Sequence, residues 1–423
     1  MFKQIRSIRF KSTLSISSFN NKEISLLINN KPVTFNNVFL RDSCQSLKSV
    51  DPYSKQKLFT TAEAATNLTI AKPPSIDDSK SEPLLKIQWN NNNEIIDSEY
   101  SSSWLSKFST AEGRRIEKFF DSDKKLWGKQ DIEDNMDSLT ITCDDFLNKD
   151  DKFFQALFNL NKFGLVFIKD IPQPDLTKKM SELNASEWPV CKLGEKFGYI
   201  KKTFYGTLFD VKNEKEEAKN IANTNTFLPL HMDLLYYESP PGLQLLHFIQ
   251  NSTLGGENIF CDSFLAAKYV FDNDLKAYKA LTKIPITYHY DNNNEYYYYK
   301  RPLIIEGLEV PKDSNFPKIH AINYSPPFQG PLEVGITKDD PNYELFDDFL
   351  KGMQLFENFI NDPKNHFEIK MKEGTCVIFE NRRALHSRNE FSDSNGGDRW
   401  LMGTYVDGDS FRSKLRVNYR KFK

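Results

Sequence analysis

The strongest constraint on the fold is a series of short β-type runs, each closed by Gly, Pro or Asn, from about residue 138 onward. "GLQLLHFI", "NIFCDSF", "IPITYHY", "YYYYKRPLII", "IHAINYS", "FEIKMKEGTCVIF" and "RWLMGTYVD" follow one another along this stretch. Many short strands in one large module suit a double-sheet jelly roll or barrel, and not a doubly wound parallel sheet. Helices enter at identifiable places. "PNYELFDDFLKGMQLFENFIND" is one. Another opens the module, where Phe153, Leu157 and Leu160 share a helical face, Gly164 ends the helix, and "LVFIKDI" reads as a buried strand. The expected class is α+β, mainly β, with flanking helices on a jelly-roll core.

Upstream, "EISLLINNKPVTFNNVFLRDSC" and "LLKIQW" predict a small β-rich N-terminal domain over residues 23–105. A charged, helix-like connector follows over 106–137, and the large domain occupies 138–423. The 423 residues leave room for both. Phe and Tyr, at 34 and 18, suit a strand-rich core. A formal charge of −2 gives no case for a nucleic-acid or anionic-membrane partner. No apolar run approaches the roughly 18 residues that span a bilayer. Cys44, Cys143, Cys191, Cys261 and Cys376 stand far apart with no CxxC, which argues against a disulfide scaffold and for a reducing compartment.

The first 22 residues carry basic but no acidic side chains, with Arg6 and Arg9 set among Phe2, Ile5, Ile8 and Phe10. That is the pattern of a mitochondrial transit peptide, and the expected location is mitochondrial. No internal repeat is visible. "DNNNEYYYY" and "NNNN" read as compositional bias and a hairpin, not as chemistry.

Chemistry enters at "LPLHMDLLYYESPPG", where His231 and Asp233 stand two residues apart. On a strand such residues share a face, so an imidazole nitrogen and a carboxylate oxygen converge on one ion. Alone, the pair is weak evidence. Downstream, "GTCVIFENRRALHSRNEF" carries His386 after a glycine turn and a strand, and "DRWLMGTYVD" carries Arg399. Two histidines and one carboxylate make the facial triad that holds Fe(II) and leaves positions open for cosubstrate and oxygen. A guanidinium nearby grips a dicarboxylate bidentately. His247 alternates with apolar residues and reads as a packed strand residue, while His289, His320 and His366 lack partner spacing.

With these motifs in place, "LPLHMDLLYYESPPGLQLLHFI", "GGENIFCDSF" and "NRRALHSRNE…RWLMGTYVD" resemble the gamma-butyrobetaine dioxygenase and trimethyllysine dioxygenase family. These are Fe(II)/2-oxoglutarate oxygenases of the taurine-dioxygenase-like group. "NNVFLRDSC" resembles the family's N-terminal domain. The resemblance implies a double-stranded β-helix core, with His231, Asp233 and His386 as catalytic iron ligands. It implies Arg399, with Asn258, as the 2-oxoglutarate site, ascorbate as reductant, and a possible homodimer. The implied reaction hydroxylates a small-molecule substrate, gamma-butyrobetaine, to carnitine; the alternatives are trimethyllysine or another small acid.

Two departures stand out. The family's N-terminal zinc is held by three cysteines and a histidine, whereas "RDSCQSLKS" keeps only Cys44, with Ser46 and Ser49 in the other places and Ile96 near the histidine position. Serine is a poor zinc ligand, and no zinc is expected. The family's aromatic cage for trimethylammonium is also altered: Tyr205 and Tyr405 match, Phe209 stands for tryptophan, and Asn223 replaces a tyrosine. Tyr236 or Tyr237 would complete it. Two other readings compete. A non-catalytic binding protein is disfavoured by the intact His-x-Asp, His and Arg set. A zinc-dependent jelly-roll lyase or isomerase is disfavoured by the arginine.

Overall fold

In the strand Leu84–Asn91 every second residue is buried, placing Leu85, Ile87 and Trp89 on one inward face. This period of two is what a half-buried antiparallel strand requires. The strand turns at Asn92 and Asn93, both with positive φ, into Glu94–Ser101. Consecutive asparagines supply the left-handed backbone of a two-residue hairpin turn, so the "NNNN" run is a hairpin. In the computed structural model, which describes residues 13–79, 81–118, 124–212, 224–292, 294–307 and 315–422, the chain divides into two compact units, Met1–Ser122 and Asp123–Lys423.

The first unit contains two three-stranded antiparallel sheets, Leu14–Phe19/Glu23–Ile28/Lys31–Asn36 and Leu68–Asp77/Leu84–Asn91/Glu94–Ser101. Their core includes Ile24, Leu26, Phe35, Leu40, Cys44 and Trp89. Two expected boundaries move. Leu14–Phe19 pairs with Glu23–Ile28, so the folded sheet begins inside the expected leader of residues 1–22; residues 1–12 lie outside the described residues. The expected connector is divided, because Ser102–Phe108 packs in the first unit whereas Trp127, Ile132 and Leu139 enter the core of the second. Cys44 lies beside Ser46 (Sγ to Oγ 3.3 Å), and Ser46 donates to Ser49 at 3.3 Å. The buried Arg41 binds Ser49 Oγ and Asn91 Oδ1.

The second unit is built on two antiparallel-paired sheets, with one parallel edge strand. The larger runs Thr140–Thr142, Leu165–Lys169, Thr375–Glu380, Leu243–Asn251, Arg399–Val406, Phe209–Lys212. The smaller runs Leu228–His231, Ala384–Arg388, Asn258–Asp262, Phe367–Ile369. Side chains from both meet between them: Phe167 lies against Phe367 and Phe260 against Phe379. This is a jelly roll. The helix Asp150–Phe163 ends at Gly164, whose φ of +76° is the left-handed cap glycine adopts freely. Ser263–Asn273, Leu275–Leu281 and Phe346–Ile360 pack around a second core containing Phe264, Tyr278 and Phe356. Among the described residues, no helix is long and apolar enough to cross a membrane.

Candidate metal centre

Leu228–His231 and Ala384–Arg388 pair antiparallel, and His231 stands directly opposite His386 in the register. Residues directly opposite on neighbouring strands have Cβ atoms about 4.5–5.5 Å apart. The two imidazole centroids are accordingly 4.2 Å apart. The register therefore brings together histidines far apart in sequence.

Asp233 arrives differently from the sequence expectation. The strand ends at His231, so Asp233 lies in the turn beyond it and not on a shared strand face. Leu234, next in line, has a φ of +57°, uncommon for a non-glycine residue. The bend swings the carboxylate back to the histidines, with Asp233 Oδ1 3.3 Å from His231 Nε2. Ligand atoms of His231, Asp233 and His386 all lie within 4.8 Å of one another, and among the described residues these three form the group able to hold a metal ion.

The donor set fits a cation. His231 Nδ1 is 2.8 Å from the Pro229 carbonyl, which fixes the proton there and leaves Nε2 with a lone pair. Nε2 then faces a carboxylate oxygen. Two acceptors at this distance need positive charge between them, supplied by a proton or a metal. Burial pushes the His386 imidazolium down to about 3, so this ring is neutral, the state a metal ligand needs. Burial opposes ionisation of Asp233, but hydrogen bonding to His231 and to Tyr405 outweighs it and holds the carboxyl well below the usual range. Tyr405 Oη donates to Asp233 Oδ2 at 2.7 Å, so this ring, expected only against substrate, also touches the carboxylate.

A cavity of about 640 Å³ opens beside the three side chains. Arg388, Arg399 and Asn258 line one part of it, all buried. Burial, and then Arg388, push Arg399 down to about 9, leaving it charged at neutral pH. Among the described residues, Arg399 Nε and Asn258 Oδ1 have no hydrogen-bond partner. A buried charged group with an unmet donor fits an anionic ligand such as the carboxylate of 2-oxoglutarate.

Elsewhere the lining is aromatic, with Phe204, Tyr205, Phe209, Tyr236, Phe328 and Tyr405 among it. Phe209 stacks on Tyr405 at 4.9 Å. Tyr237 packs against Tyr236 and Tyr297 beside the cavity. Asn223 lies outside the described residues. The Pro285–Asn292/Glu295–Pro302 hairpin also reaches the cavity, through Tyr290 and Glu295. The "DNNNEYYYY" run therefore contributes lining that composition alone concealed. Within the run itself the lining residue is Glu295, for which the sequence carried no signal. His247 is a packed strand residue, fully buried. His366 Nε2 is 2.6 Å from the Ile360 carbonyl at a helix end.

A jelly roll with two histidines, a carboxylate and open space beside them is the architecture of non-haem Fe(II) oxygenases. The chain belongs to the taurine catabolism dioxygenase TauD, TfdA family, whose model matches residues 123–405. It is 34% identical to "Probable oxidoreductase AIM17" of Saccharomyces cerevisiae, over 93% of this chain and 87% of that one. It is 32% identical to "Dioxygenase str8" of Strobilurus tenacellus, over 90% and 84%. Relatives at 23–26% identity, covering 76–92% of this chain and 76–91% of theirs, are named gamma-butyrobetaine dioxygenase or trimethyllysine dioxygenase, including the human mitochondrial trimethyllysine dioxygenase. The chain is a dioxygenase of this family.

Proposed function

We propose that the chain is an Fe(II)- and 2-oxoglutarate-dependent dioxygenase that hydroxylates a small molecule, with His231, Asp233 and His386 as iron ligands. The observation that carries this reading is the cross-strand pairing of His231 with His386, with the Asp233 carboxylate folded back onto it. Bound iron with 2-oxoglutarate supplies oxidative decarboxylation of the cosubstrate and activation of oxygen. The protein's own residues bind and orient. Pro229 fixes the His231 tautomer, Tyr405 holds one carboxylate oxygen, and Arg399 with Asn258 receives the far carboxylate of 2-oxoglutarate. The aromatic walls exclude water and seat the substrate.

The finer reading is hydroxylation of gamma-butyrobetaine to carnitine, with trimethyllysine as the alternative. What supports an amine is the set of ring faces at Tyr205, Phe209, Tyr236 and Tyr405, since a quaternary ammonium is attracted to ring faces and donates no hydrogen bond. A mitochondrial location rests on the basic, acid-free start of the chain and on the mitochondrial relative.

The test is succinate formation from 2-oxoglutarate by chain loaded anaerobically with Fe(II), with ascorbate, on admitting air. Gamma-butyrobetaine, trimethyllysine and no substrate are compared. Stimulation by gamma-butyrobetaine, lost in His231→Ala, is the expected result. Triad-dependent turnover stimulated by neither amine would overturn the carnitine reading alone. No turnover with iron demonstrably bound would overturn the oxygenase assignment of this site.

A further inference from the structure

Asp233 is the ligand that the sheet does not place. The strand carrying His231 has ended, and Leu234 takes a left-handed backbone conformation that is unfavourable for a non-glycine residue. Something must hold this turn in shape. The Met232 N–H donates to the Tyr324 carbonyl at 2.9 Å, which fixes the residue between the two ligands. The Asp233 backbone itself is gripped by one side chain. Its N–H donates to Asn381 Oδ1 at 2.9 Å, and its carbonyl accepts from Asn381 Nδ2, also at 2.9 Å.

Asn381 is fully buried. Its Nδ2 also lies 3.4 Å from the Pro241 carbonyl, and its own N–H donates to the Gly242 carbonyl at 3.0 Å. The residue sits just after the strand Thr375–Glu380 and shortly before the strand that carries His386. Its amide thus imitates a strand neighbour for a turn that has none. It links the segment bearing the carboxylate to the segment bearing the second histidine. The orientation of the amide is set by its partners, because reversing it would set donor against donor and acceptor against acceptor. Aspartate would offer two acceptors to one N–H and one carbonyl. Glutamine would be one methylene too long. Alanine would leave a buried N–H and a buried carbonyl unpaired.

We infer that Asn381 is a positioning residue for the metal site: it holds the Asp233 turn in its ligand-ready shape before any ion arrives. This rests on the reading of His231, Asp233 and His386 as metal ligands. Groups that orient first-sphere ligands commonly change metal affinity about 10–100-fold when removed.

The experiment titrates Mn(II) into full-length metal-free chain and counts free ion by electron paramagnetic resonance, for wild type, Asn381→Ala, Asn381→Asp and His231→Ala. Near-ultraviolet circular dichroism and melting of the metal-free forms report folding. The expected result is a 10-fold or greater loss of Mn(II) affinity in both Asn381 variants, with the metal-free dichroism retained. Affinity within twofold of wild type in a folded Asn381 variant would overturn the inference. Should neither variant fold, hydrogen exchange of the Asp233 amide in metal-free wild type decides. Slow exchange supports a clamp that precedes the metal, and exchange at the free-peptide rate overturns it. Failure of wild type to bind Mn(II), or equal binding by His231→Ala, would instead overturn the metal assignment and carry the inference down with it.

Discussion

Arg399 and His247 are both buried, and among the described residues Arg399 Nε and both His247 ring nitrogens lack a hydrogen-bond partner, yet the consequences differ. Arg399 opens on the cavity. Lysine there would keep the charge but lose the planar fork that matches a carboxylate. Arg399→Lys is expected to raise the KM for 2-oxoglutarate at least 10-fold with a smaller change in kcat, checked by succinate formation at varied cosubstrate. His247 is fully buried in the strand Leu243–Asn251. Burial holds it down to about 4 from an ordinary 6.5, so it is neutral when folded. Unfolded chain binds the proton first as pH falls. The stability this residue permits is therefore complete above about pH 6.5 and is lost as pH drops towards 4. A shift of this size is worth at most roughly 3 kcal/mol. His247→Met, which keeps volume and removes two unpaired nitrogens, is expected to flatten the decline in melting temperature between pH 6.5 and 4. A parallel decline in wild type and variant would contradict that account.

The strand Arg399–Val406 shows how an element shapes the cavity. Arg399, Leu401 and Tyr405 line it, and Gly403 lies on the same alternating face. Gly403 stands opposite Phe209 in the register, and a Cβ there would lie 2.1 Å from the Phe209 ring. The bare backbone lets that ring lie flat and stack on Tyr405. Gly403→Ala must displace Phe209. The expected outcome is a several-fold rise in substrate KM with 2-oxoglutarate turnover in the absence of substrate preserved. Unchanged substrate KM would mean that Phe209 does not bound the substrate. The same elements mark where the sequence was legible. Alternation and punctuation identified the strands bearing His247 and Arg399, and Gly164 marked the helix end, because these signals are local. The histidine pair was visible as residues but not as cross-strand neighbours, since register is set by distant pairing. The Asp233 turn was not legible at all. Its shape depends on a left-handed leucine, which propensity disfavours, and on Asn381, 148 residues away.

At the scale of the molecule, two units carry separate cores, one around Trp89 and Leu26, the other between the jelly-roll sheets and beneath the flanking helices. The candidate ligands and the cavity lining belong wholly to the second unit. A ligand that binds only the folded form stabilises it by RT ln(1 + [L]/Kd), about 2.7 kcal/mol at a hundredfold excess over Kd. That energy acts on the cooperative unit that holds the site. Adding Mn(II) together with 2-oxoglutarate is therefore expected to slow amide exchange about 100-fold in Leu228–His231 and Ala384–Arg388 where exchange requires opening of that unit. The strand Leu84–Asn91 in the first unit is expected to exchange at an unchanged rate. Hydrogen exchange read by mass spectrometry separates these peptides directly. Equal protection of both would mean that the units open as one, and the division of the chain into independent cores would then fail as an account of its stability.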